Sequence, residues 1–205
     1  MISRRAIQVV AGVTAAVGLL VSVLFGGHDS ASTALKVYSY GTSISVLLVL
    51  AYEHYIWHWP LVRKVTGRPD LRGTWKGELQ SSYAASGAAV APIPTILRIK
   101  QTASSQHATL FTGESSSVTE QSDLVREPDG RWRLTWIYAN TPRTSVRQRS
   151  DCHVGTAEVT YDNVDGLVGS YFTDRLTRGE LKLPVRSQRL FSSVAAAEAD
   201  AGSFR

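Results

Sequence analysis

Between positions 112 and 175 the chain collects side chains suited to holding a compact anionic ligand. Arg143, Arg147 and Arg149 crowd one short stretch, and Arg175 closes the run YFTDR. A guanidinium engages phosphate or carboxylate through a bidentate fork. Tyr138 and Tyr171 offer ring faces for stacking, while Thr112, Asn140 and Thr173 offer hydroxyl and amide groups that read a polar edge. His153 either donates to an anion or hydrogen-bonds locally. Taken singly, an inward Tyr or Asn is an ordinary core residue and an exposed Arg an ordinary solvated one. Convergence at one place is what makes a site.

Other chemistries find less support. Glu114, His153 and Asp174 are general acid and base types, yet no nucleophile elbow, phosphate loop or paired-metal spacing accompanies them, so the chain reads as a non-enzyme. The single cysteine, Cys152, excludes an intramolecular disulfide, and no Cys/His cluster has zinc spacing; no cofactor is implied. His54 and His58 share a helix face at i,i+4 spacing, with Glu53 beside them, but a wet turn explains the three better than a metal or proton site.

The residues after Pro69 alternate with period two, which positions these groups. Strands are predicted at 71–79, 95–101, 107–114, 117–127, 131–140, 152–161, 167–175 and 179–186, separated by turns such as Asp129-Gly130 and Asp165-Gly166. Eight short strands with short connections point to an up-and-down antiparallel barrel, lipocalin-like. Alternation turns Trp75, Leu79, Leu97, Ile99, Gln101, Leu110, Leu134, Trp136, Val159, Leu167 and Tyr171 inward. In an antiparallel meander Thr112, Glu114, Tyr138, Asn140, His153, Tyr171, Thr173 and Arg175 then gather at one mouth, with Arg143, Arg147 and Arg149 around it. Trp75, Trp132 and Leu134 plug the opposite end.

The first 59 residues have another texture. Ala6–Phe25 carries no charge and is about 20 residues long, enough for a membrane helix; a second apolar run covers 37–59. The expected organisation is a two-helix transmembrane hairpin at 1–59, a linker at 60–70, a barrel at 71–190 and a flexible tail at 191–205. A secretory signal is the rival reading for the first run, disfavoured by the second. Arg4, Arg5, Arg63, Lys64 and Arg68 flank the runs, whereas their connection has only Lys36, so both termini and the barrel are expected to be cytoplasmic. Gly12 and Gly18 would permit close helix approach, within the hairpin or between copies. Residues 1–68 hold six bases and two acids, and the remainder is nearly balanced. The overall +5 charge is therefore no stripe for a DNA or RNA polymer.

The order of the segments LRGTWKGEL, TILRIKQT, LFTGESSS, YANTP, CHVGTA and GSYFTDRLTRGELKL behind an apolar hairpin resembles the two-transmembrane β-barrel effectors of bacterial CBASS antiphage systems. The Gly-x-Trp opening also resembles that of lipocalins. The first resemblance implies a multi-pass protein of the bacterial inner membrane whose barrel binds a cyclic dinucleotide, self-associates, disrupts the lipid bilayer and kills the infected cell by abortive infection. It equally implies an effector held inactive by a constitutive nucleotide and released on its sequestration. With such a ligand, Arg143, Arg147, Arg175 or Arg178 would hold phosphates, Tyr138, Tyr171 or Trp136 would contact a base, and Thr112, Asn140 or Thr173 would read its edge. A membrane-tethered carrier of an apolar metabolite is the competing function.

Overall fold

The computed structural model describes residues 4–25, 31–82, 91–162 and 165–205. It divides into two compact units: residues 1–68 with 102–104, and residues 69–101 with 105–205.

The first unit holds α1 (Arg4–Phe25), α2 (Ala31–His54) and the short α3 (Pro60–Thr66). Proline at the first helical position has a φ already suited to α3, and Gly67 ends it in the left-handed conformation at φ 65°. In α2, Ser43 and Ser45 satisfy their hydroxyls on the carbonyls of Ser39 and Gly41, at 2.9 and 2.8 Å. A Cβ at Gly12 or Gly18 would meet nothing within 4 Å, so neither mediates close helix contact among the described residues. Glu53 Oε1 accepts from the hydroxyls of Thr102 (2.5 Å) and Ser104 (2.6 Å), and no group of three or more metal-ligating side chains occurs among the described residues.

The expectation for this region needs correction. Among the described residues, no helix is long and apolar enough to cross a membrane. Helix α2 interleaves Tyr40, Gly41, Thr42, Ser43 and Ser45 with its aliphatics. The two transmembrane helices are therefore not supported, nor is the multi-pass inner-membrane placement with cytoplasmic termini built on them.

The second unit is a closed antiparallel barrel of β1 (Gly73–Ser81), β2 (Ile93–Gln101), β3 (Gln106–Phe111), β4 (Ser115–Arg126), β5 (Trp132–Pro142), β6 (His153–Asp162), β7 (Gly166–Thr173) and β8 (Arg178–Ser187), each paired with its sequence neighbour and β8 with β1. Inward residues expected from alternation fill it: Trp75, Leu97, Ile99, Leu134, Trp136, Val159 and Leu167 are all at most 4% exposed, and Leu181 and Leu183 of β8, both 0% exposed, join them. Alternation slips where β8 shifts register against β1 between Lys76 and Glu78. Pro184 lies there, and it has no N–H to offer a ladder. The shift leaves Leu181, Leu183 and Arg186 all facing in, with the Arg186 guanidinium 5.3 Å from the Trp75 ring centre.

The end opposite the mouth is closed by polar groups as well as rings. Gln101, the polar exception among the inward residues, accepts from Leu71 N (2.8 Å) and donates to the Pro69 carbonyl (3.1 Å). Asp70 pairs with Arg72 at 2.9 Å and Arg186 at 3.4 Å. Burial works to raise the Asp70 pKa, but the hydrogen bonds and charge of Arg72, joined by Arg186, prevail and hold it below the usual value.

Residues 191–205, expected as a flexible tail, are ordered instead. Ser193 caps α4 (Val194–Ala199), accepting from Ala196 N at 3.2 Å. Val194 and Ala197 bury outward-facing Ile96, flanked by Phe111, Phe191 and Phe204. The main chains of Arg205 and Arg186 exchange hydrogen bonds.

Candidate functional site

The mouth lies where β1, β3, β5 and β7 end and β4, β6 and β8 begin. A cavity of about 580 Å³ opens there, within the ~300–1,000 Å³ typical of small-molecule sites. Seven of the ten predicted ligand-binding residues line it: Thr112, Tyr138, Asn140, His153, Tyr171, Thr173 and Arg175. Register explains the grouping, because Asn140 pairs with His153, Tyr138 with Gly155, and Gly155 with Thr173 across β5, β6 and β7.

Two tyrosines lie against the wall over glycines. A Cβ on Gly155 would stand 2.4 Å from Tyr138 Oη, and one on Gly179 would stand 2.6 Å from the Tyr171 ring. Tyr171 Oη donates to Ser81 Oγ at 2.8 Å. Burial pushes both phenols up, Tyr138 far more than Tyr171. For Tyr138 the neighbouring Tyr171 and Asp174 add to the effect; for Tyr171 the Ser81 hydrogen bond and Arg175 oppose it. Both remain neutral O–H groups in any physiological buffer.

Asn140, 7% exposed, donates through Nδ2 to Ser115 Oγ (3.1 Å) and Ser117 Oγ (2.8 Å). Its Oδ1 is buried with no protein partner, an unused acceptor. His153 Nδ1 lies 3.1 Å from the Asp151 carbonyl. A carbonyl only accepts, so this contact requires the proton on Nδ1 and leaves Nε2 as the second ring nitrogen. Thr173 and Thr177 join their hydroxyls at 2.6 Å across the β7–β8 turn, and Leu176 completes that turn at φ 61°. Arg175 is carried by this turn, with Nη1 donating to Ser150 Oγ at 3.2 Å.

Three predicted residues stand off the cavity wall. Arg143 uses its main-chain N–H on the Glu114 carbonyl (2.8 Å) and caps a short helical turn at Thr144–Val146, with its side chain exposed. Arg147 ends that turn and points Nε at the Pro142 carbonyl, 3.4 Å away. Arg178 is the first residue of β8, where inward Leu181 and Leu183 place Gly179 inside and Arg178 outside. Trp136 is 1% exposed within the core and does not line the cavity. Arg149, Ser115, Ser117 and Thr177 do line it. The run Ser115–Ser117 was the available signal, since alternation turns its first and third members inward opposite Asn140. Val194 and Glu198 of α4 reach the same wall, for which local sequence carries no signal.

Toward the deep end Trp75, Leu134 and Trp136 are packed, at 4%, 0% and 1% exposed, as their inward assignment requires.

Residues 66–184, more than half of the chain, match the family model described as "Cap15, cyclic dinucleotide receptor domain". The chain is also similar to CD-NTase-associated protein 15 of Staphylococcus schleiferi, 26% identical over 149 residues that cover 73% of this chain and 79% of that protein.

Proposed function

The chain belongs to the Cap15 cyclic dinucleotide receptor family of CBASS effectors, and from that premise we propose that the barrel mouth binds a cyclic dinucleotide and passes the signal on by self-association. The family assignment supports a receptor and effector rather than an enzyme. The observation that carries the site is the convergence of Tyr138, Asn140, Tyr171, Thr173 and two guanidiniums, Arg149 and Arg175, on one cavity.

In this reading the tyrosine rings meet a base, the free Oδ1 of Asn140 accepts from a base N–H, and the arginines take phosphate oxygens. Self-association is supported by the helices, where Leu19, Leu20, Val23, Val46, Leu47 and Leu50 are between 49% and 76% exposed; a second copy of the chain would cover them. Damage to a bilayer by the assembled chains is the proposed output. The sign of the ligand's effect is set by whichever state binds it better.

The test is a thermal-shift screen of the whole chain against cyclic di-AMP, cyclic di-GMP, cyclic di-UMP and cyclic GMP–AMP. A ligand that binds only the folded state, at about 100 times its Kd, adds about 2.7 kcal/mol. One nucleotide of the panel is expected to raise the midpoint selectively. A folded protein that shifts with none of them, or with related cyclic trinucleotides, overturns the receptor reading.

A further inference from the structure

We infer that Glu114 is an internal competitor for the Arg149 guanidinium, standing where a ligand phosphate would bind and so setting both the affinity of the mouth and its demand for an anion. The inference rests on the receptor reading above and concerns the regulation of that same site. Glu114 lies in the β3–β4 turn and Arg149 in the β5–β6 connection, and both line the cavity. Their side chains form an ion pair, Arg149 Nη2 donating to Glu114 Oε1. The carboxylate is aimed by its own backbone: Thr112 Oγ1 accepts from the N–H groups of Glu114 (3.2 Å) and Ser115 (3.0 Å), and the Glu114 carbonyl accepts from Arg143 N (2.8 Å). The turn is thus tied to the connection by a main-chain bond, and the side-chain pair is added to it.

Two features make the pair exchangeable. Its side chains are 65% and 60% exposed, and ion pairs in water hold by little. A phosphate also offers the guanidinium the same bidentate geometry as a carboxylate, so exchange replaces like with like. The charge balance points the same way. Among the described residues lining the cavity, Arg149 and Arg175 are opposed by Glu114 and Glu198, leaving no formal excess of positive charge for a ligand with two phosphates. A neutral nucleoside brings nothing that displaces Glu114, whereas a phosphodiester does. Glu114 therefore acts as a specificity-determining residue rather than a contact.

The experiment is calorimetric titration of wild type, Glu114→Gln, Arg149→Ala and the double variant, as full-length chains, with the four cyclic dinucleotides named above. Glu114→Gln is expected to tighten binding about two- to five-fold, the size of an exposed pair. Arg149→Ala is expected to weaken it about ten-fold or more, and the double variant to match Arg149→Ala, the gain having vanished with its partner. Binding by wild type with no gain in Glu114→Gln overturns this inference and leaves the receptor reading intact. A gain that persists in the double variant, or an Arg149→Ala chain that binds as wild type, overturns it equally. If no nucleotide binds any of the four folded chains, the receptor reading fails and this inference falls with it.

Discussion

Arg175 illustrates how far a single side chain was readable. Period-two alternation through Tyr171 and Thr173 brings it to the mouth, and it lines the cavity with one N–H on Ser150. Arg175→Ala is expected to weaken nucleotide binding by about ten-fold or more, the scale of a charge-assisted hydrogen bond; unchanged affinity by calorimetry in a folded variant would remove it from the site. Arg178 shows the opposite case. It reads as a loop residue when β8 is begun at 179, but the ladder takes it in opposite Phe172 and the pleat turns it outward. Arg143 and Arg147 stand off the wall for another reason: a short helical turn follows β5, and neither charge nor period two signals which of the three arginines there, Arg143, Arg147 and Arg149, reaches the cavity. Asn140 was legible as an inward amide, while its serine partners required the register of β4 against β5.

At the scale of elements, the barrel closes where β8 returns to β1. The closure is local chemistry that sequence alternation did not contain: a register shift at Pro184, Arg186 over Trp75, and Asp70 between two guanidiniums. The Asp70 pKa is depressed in the folded state, so its stabilising contribution is complete above the unfolded value near 4 and is lost as pH falls through the lower folded value. Asp70→Asn should cost about 1–3 kcal/mol at neutral pH, and urea titrations should show its stability falling less steeply than wild type on acidification below about pH 4. Parallel acid slopes would show that Asp70 carries no such linkage. Helix α4 was hidden for a related reason. Its Ala-rich segment has no strong period of its own, and its partners, Ile96 and Phe111, lie about a hundred residues upstream on the outer barrel face.

For the whole molecule, the proposed signal is a change in association. In sedimentation velocity of the full chain in mild detergent, the nucleotide that stabilises the fold is expected to add a faster-sedimenting species; identical profiles with and without it would sink ligand-driven assembly. The exposed apolar residues of α1 and α2 are the surface that assembly would cover. The apolar runs of the first 59 residues were visible in the sequence, but their reading as membrane spans did not stand, because among the described residues no helix is long and apolar enough. Sequence alone determined the strand number, the meander, the inward set and the mouth where seven polar and aromatic candidates meet, since short connections and period-two alternation are properties of neighbours along the chain. Tertiary structure decided which arginines reach the cavity, that Arg149 is paired with Glu114 and that the tail carries helix α4. Those outcomes depend on register, on bulges and on contacts between residues far apart in sequence, which local pattern does not encode.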